Sequence, residues 1–127
     1  MDREGFADWL DRFGNAWITN DPDDIGDLFP HTRFEWGGPF GEVWHEHDAV
    51  VEHWLDTADY FHELQVEYEI LCVNASFGIC RYKASFTRGT PERHQEDMIL
   101  YVRLDDDNKV VELREWFARP VPEPVAA

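Results

Sequence analysis

The chain has 127 residues and a mass of 15.0 kDa, with nine Phe, six Trp and four Tyr, enough apolar material for one domain that needs neither metal nor disulfide to fold. Twenty-seven acidic against eleven basic side chains give a formal charge of −16, which repels nucleic acid and anionic membranes and sets both aside as partners. No apolar run could span a bilayer, and Met1-Asp2-Arg3-Glu4-Gly5 has no signal character, so a soluble, cytoplasmic protein is expected, with Cys72 and Cys80 as small buried thiols.

Phe6, Trp9, Leu10, Phe13 and Trp17 recur at helical spacing, with Asp2, Glu4, Asp8, Asp11 and Arg12 elsewhere on the wheel, and predict an amphipathic first helix. Asp21-Pro22-Asp23-Asp24 supplies an N-cap acceptor, a proline at the first helical position and carboxylates in the first turn. A short second helix follows, ended by Pro30. Residues 32–36 read as a short strand that Gly37, Gly38 and Gly41 break. A third helix over 46–60 turns Val50, Val51, Trp54, Leu55 and Ala58 inward.

From His62 the apolar period falls to two, and turn residues divide the remainder into four strands near 62–73, 76–88, 94–104 and 109–119. Each is about twice the usual 5–6 residues, and sheets this long twist and curl. The expected fold is α+β: three N-terminal helices packed on a strongly curved antiparallel sheet, forming a cone whose mouth the helices close. One domain is expected over 1–119, with 120–127 an extended Pro-rich tail.

This order, the aromatic first helix, Asn20-Asp21-Pro22-Asp23-Asp24-Ile25 with Leu28-Phe29, and the closing stretch from Tyr101 through Asp105-Asp106-Asp107-Asn108 to Glu115-Trp116-Phe117 resemble the NTF2-like superfamily, in its SnoaL-like and ketosteroid-isomerase-like branch. The resemblance implies a cone with one apolar cavity and a homodimer. In the ketosteroid isomerases a Tyr and an acid bind the oxyanion and an Asp is the base; those places fall on Phe13, Leu100 and Trp36. The place of a catalytic Asp in limonene epoxide hydrolases falls on Ala118. Neither residue set is present, so any chemistry here must use other groups.

A side chain's face alternates along a strand, and residues opposite each other in a hairpin share a face. A turn at Asp106 and Asp107 pairs Val102 with Val111, Leu100 with Leu113, Met98 with Glu115 and Glu96 with Phe117; the loop from Gly89 to Glu92 gives the preceding pair an index sum near 182, which pairs Tyr82 with Leu100 and puts Cys80, Tyr82, Ala84 and Phe86 on the same apolar face, taken as concave. The outer face then carries Arg81, Lys83, Asp97, Ile99, Tyr101, Glu112, Arg114 and Trp116, a mixture suited to sheet-to-sheet dimerisation.

Glu115 is the candidate catalytic carboxyl, because an acid between Leu113 and Phe117 must either bind its proton more tightly or find a donor. His53 is its candidate acid/base partner and Tyr82 an orienting donor. Phe13, Trp17, Trp36, Trp54, Phe86, Glu96, Met98, Leu100, Leu113 and Phe117 are expected to line the pocket. A one-residue bulge would instead turn Glu115 out toward Arg103 or Arg119, and a register error would exchange Asp97 for Glu96 in the cavity.

No metal site is expected, since His45 and His47 at i and i+2 point to different sides of a helix. No cofactor is expected either: residues 37–41 lack the Lys and Ser/Thr of a phosphate loop. Ser76 and Ser85 lie in no nucleophile motif. The ligand expected is a small apolar or aromatic molecule, cyclic or polyketide-like, undergoing isomerisation, dehydration or cyclisation. The alternative is a ligand-binding or dimeric scaffold module without chemistry.

Overall fold

The computed structural model describes residues 1–38 and 43–119; the tail over 120–127 and part of the glycine-rich turn lie outside the described residues. Helix α1 (Arg3–Thr19) is opened by Asp2, whose carboxylate accepts from Gly5 N at 2.7 Å, and closed by Asn20 in the left-handed region at φ 51°. Helix α2 (Pro22–Gly26) is capped by Asp21, which accepts from Asp23 N at 2.8 Å. Strands β1 (Glu35–Gly37) and β2 (Val43–Trp44) precede helix α3 (His47–Thr57), which runs into a 3-10 turn (Ala58–Tyr60). The long strands are β3 (His62–Val73), β4 (Gly78–Thr87), β5 (His94–Leu104) and β6 (Val110–Ala118).

The six strands form one open sheet in the order β2-β1-β6-β5-β4-β3. The long strands make the expected antiparallel meander, but β1 joins the free edge of β6 in parallel, so the sheet is mixed. The strand expected over 32–36 is shorter and shifted, keeping only Glu35 and Trp36 and running on through Gly37, and two-residue β2 is too short for a periodic signal. Phe6, Trp9 and Leu10 of α1 and Val50 of α3 are fully buried in one cluster with Leu100, Val102 and Leu113 of the sheet. Leu28 O accepts from Trp9 Nε1 at 3.3 Å and from Val110 N at 3.0 Å, fastening the segment after α2 to both α1 and β6.

Both hairpins are displaced from the expected pairing by two residues. Val102 faces Leu113, Leu100 faces Glu115 and Met98 faces Phe117, while Tyr82 faces Met98. An even displacement preserves every face, and a one-residue displacement would have inverted them. The cause in the last hairpin is a tight loop with Asn108 at φ 56°, followed by a bulge at Arg103/Leu104 that buries Val110 and leaves Val111 half-buried. A second bulge, between Ile70 and Cys72, accompanies an exposed Cys72, contrary to the expectation of two buried thiols. Cys80 is buried, and burial pushes its thiol up to about 12.

Candidate functional site

At the mouth of the cone lies a cavity of about 390 Å³, within the range of roughly 300–1,000 Å³ common for small-molecule sites. Phe13 and Trp17 come from α1, Trp36 from β1, and His53, Trp54 and Thr57 from α3. Tyr60 and Phe61 follow from the connection to β3, Glu96 and Met98 from β5, and Glu115 and Phe117 from β6. Arg88 and Arg119 complete the wall. The rings meet largely edge to face: Phe13 on Trp54 at 5.6 Å between centroids, and Trp17 on Phe61 at 5.1 Å.

Into this aromatic wall projects the carboxyl of Glu115. Trp36 aligns with Leu113 in the parallel β1–β6 pairing and donates its indole N–H to Glu115 Oε1 at 2.7 Å. The residue as a whole is half-buried, the cavity being open on one side, but the carboxyl itself is enclosed by protein. Loss of hydration raises its pKa from 4.5 to about 7; the Trp36 hydrogen bond opposes that rise and the charge of Glu96 adds to it. The outward-turned alternative for Glu115 is therefore not the arrangement in the fold. Asp97 lies on the outer face, where it accepts from Arg81 Nε at 3.0 Å.

Glu96, only 7% exposed, is the second cavity acid and is already matched: Arg119 donates to its Oε1 from Nε at 2.9 Å and from Nη2 at 2.6 Å. His53 is half-buried, stacked on Trp44 at 4.4 Å and edge-on to Trp36 at 6.2 Å, so Trp36 touches both His53 and Glu115.

Of the expected lining, Phe13, Trp17, Trp36, Trp54, Glu96, Met98 and Phe117 border the cavity. Phe86, Leu100 and Leu113 do not; all three are fully buried in the core. Tyr82 also lies outside the lining. It is fully buried, edge-on to Phe13 at 5.4 Å and stacked on Tyr68 at 5.9 Å, with its hydroxyl against Gly14, and burial raises its phenol above the ordinary range. Alternation gave its face correctly, but the middle of β4 lies beneath α1 and not beneath the mouth.

Sequence reasoning missed Thr57, Tyr60, Phe61, Arg88 and Arg119 as lining residues. For the two arginines a signal existed. β4 and β6 are both antiparallel to β5, so their C-terminal ends lie at one end of the sheet, and Arg88 and Arg119 each follow such an end by one residue.

Two other places gather polar side chains. A groove of about 810 Å³ carries Arg81, Lys83, Gln95 and Asp97 of the outer face, but it has no aromatic wall and shares only its edge residues Glu96 and Arg119 with the cavity. His31, His47 and Asp48 bring ligand atoms within 4.8 Å of one another, a grouping the His45-Glu46-His47 spacing did not suggest. Both ring nitrogens of His47 are engaged, Nε2 donating to Gly26 O at 2.8 Å and Nδ1 lying 2.9 Å from Asp48 Oδ1. That cluster ties α2 to α3 and does not border the cavity.

No functionally curated protein matches the chain significantly. Solved structures do, at identities that speak for the fold alone. The epoxide hydrolase/cyclase-like enzyme SalBIII, with a role in pyran ring formation in the polyether salinomycin, aligns with a TM-score of 0.74 at 13% identity over 92% of this chain and 93% of its own. A hypothetical protein with a ketosteroid-isomerase-like fold from Catenulispora acidiphila, in complex with trimethylamine, aligns at 0.72 and 12% over 87% and 85%. An NTF2-like protein of unknown function from an Exiguobacterium species aligns at 0.69 and 18% over 87% and 98%. A sequence model of the SnoaL-like domain matches residues 9–113, nearly the whole helical and sheet framework, and the chain belongs to the SnoaL-like family.

Proposed function

We propose that the cavity binds a small apolar or aromatic ring molecule and that Glu115 acts on it as general acid and base, in a cofactor-independent isomerisation, dehydration or cyclisation. The observation that carries this reading is one carboxyl, held by a single indole N–H, in a pocket otherwise walled largely by rings, with a pKa of about 7. Near neutrality such a group exists in both forms. The carboxylate removes a proton from carbon next to a substrate carbonyl, and the resulting acid returns it to a neighbouring atom. Trp36 keeps the carboxyl aimed during the exchange. His53, on α3 beside Trp36, is the group suited to meet charge developing on the substrate oxygen.

A binding module without chemistry is the second reading, favoured by the pairing of Glu96 with Arg119, which takes the second cavity acid out of any proton transfer. The outer face supports a homodimer: Ile99 and Trp116 are exposed there beside Tyr101 and the Arg81–Asp97 pair, a surface for a second copy with a sedimentation mass of twice 15.0 kDa.

Exchange of the α-hydrogens of 2-tetralone in D2O, followed by proton NMR, tests the chemistry without knowledge of the natural substrate. The wild-type chain is expected to accelerate exchange and Glu115→Gln to lose about 100-fold or more of that acceleration. Equal rates in the two proteins would remove Glu115 as the base. Quenching of cavity tryptophans by 2-tetralone without any acceleration would favour the binding module.

A further inference from the structure

The cavity does not share the acidic excess of the protein around it. Although the chain carries −16, among the described residues only two carboxyls border the cavity, Glu96 and Glu115, against two arginines, Arg88 and Arg119. Glu96 is cancelled by Arg119, and Glu115 faces a neutral indole. Arg88 is left over. Its guanidinium rests 5.4 Å from the Phe86 ring centroid and 6.0 Å from that of Tyr60, and among the described residues no carboxylate forms an ion pair with it. Ring faces fix the position of a guanidinium while leaving its in-plane donors free.

Topology puts that cation where a ligand enters. Arg88 follows the last residue of β4 and Arg119 follows the last residue of β6, at the same end of the sheet, on the wall of the aromatic cavity. Arg88 is itself exposed, so it acts on a ligand at the mouth at close range, while charges more than a Debye length of about 8 Å away along the solvated surface are screened.

We infer that the ligand of this cavity carries a carboxylate, held by Arg88 at the mouth while the ring system lies among Trp17, Trp36 and Trp54. The inference rests on the reading of the cavity as a small-molecule site. It adds the charge and orientation of the molecule: anionic end outward, neutral reacting end toward Glu115. An anionic end placed inward would meet the Glu115 carboxyl and leave Arg88 unmatched, so the arrangement disfavours the reversed pose.

The experiment compares 2-naphthoate with 2-naphthamide, the same ring system with and without the charge, by quenching of tryptophan fluorescence in the full chain. Wild type is expected to bind the acid about tenfold more tightly than the amide. Arg88→Gln should bring the acid to the level of the amide and leave the amide within about twofold of wild type. Arg88→Lys, which keeps the charge but not the fork, should retain part of the preference. If Arg88→Gln fails to fold, salt provides the same answer in wild type: raising ionic strength from about 0.05 to about 0.5 M should weaken the acid and spare the amide. Equal binding of the two ligands by wild type, or an acid preference that survives both Arg88→Gln and high salt, would overturn the inference while leaving the cavity intact as a site. Binding of neither ligand would overturn the small-molecule reading itself.

Discussion

Trp36 Nε1 and Glu115 Oε1 are joined by a 2.7 Å hydrogen bond although 79 positions separate the residues in the chain. The bond depends on three-residue β1 running parallel to β6 and bringing Trp36 level with Leu113. It holds the cavity carboxyl that, among the described residues, no cation pairs with, and it favours the ionised form of that carboxyl. In Trp36→Phe the ring remains and the donor goes. The Glu115 pKa is expected to rise above about 7 by roughly one unit. Side-chain carboxyl NMR across pH measures this directly, and an unchanged midpoint would show that the indole N–H does not act on the acid.

The raised pKa of Glu115 has a consequence for stability. The folded chain binds this proton more tightly than the unfolded chain does, so the contribution is fully present below the unfolded value of 4.5 and is lost as pH rises through about 7. Glu115→Gln carries no charge to bury. Relative to wild type it is expected to gain roughly 1–3 kcal/mol between about pH 5 and about pH 8, discounted for the water that enters an open cavity. Urea unfolding of both proteins at the two pH values reads the difference; a gap independent of pH would contradict the burial of the carboxyl.

Glu96 and Arg119 form the other charged contact of the cavity, with the acid 7% exposed and the arginine side chain 53% exposed. Removing the arginine alone strands a buried carboxylate, whereas removing both leaves no charge. Arg119→Gln is expected to cost about 1–2 kcal/mol, less than a fully buried pair would, and Glu96→Gln in the same chain should recover most of it. Unfolding free energies around the double-mutant cycle test this, and additive single effects would argue against a working pair.

Gly14 leaves room on α1 for the Tyr82 hydroxyl, which a Cβ at position 14 would strike. Gly14→Ala should therefore destabilise by about 1–3 kcal/mol despite the better helix propensity of alanine. Tyr82→Phe in that background removes the obstructing oxygen and should recover part of the loss. Thermal unfolding of the four proteins checks the coupling, and a stabilised Gly14→Ala would show that the contact relaxes freely.

The framework was legible because its signals are local: the aromatic period of α1, the Asp21-Pro22 start of α2, and alternation that placed the bounds 62–73 and 94–104 where β3 and β5 have them. The faces survived a wrong register since both hairpins moved by an even number of residues. What alternation could not tell is how far along the cone a residue lies. Tyr82, Phe86, Leu100 and Leu113 have the inward face and sit in the core, while Phe117, also inward, is 56% exposed at the mouth. Nor could it show Trp36 reaching Glu115, because that contact passes through a parallel pairing too short to leave a pattern.

The most direct test of the account is the titration of Glu115 itself, by carbon-13 NMR of side-chain carboxyls with Glu115→Gln to assign the signal. A midpoint near about 7 is expected, well above the ordinary glutamate value. A midpoint below about 5 would mean that water reaches the carboxyl freely and that the cavity holds no acid poised for proton transfer.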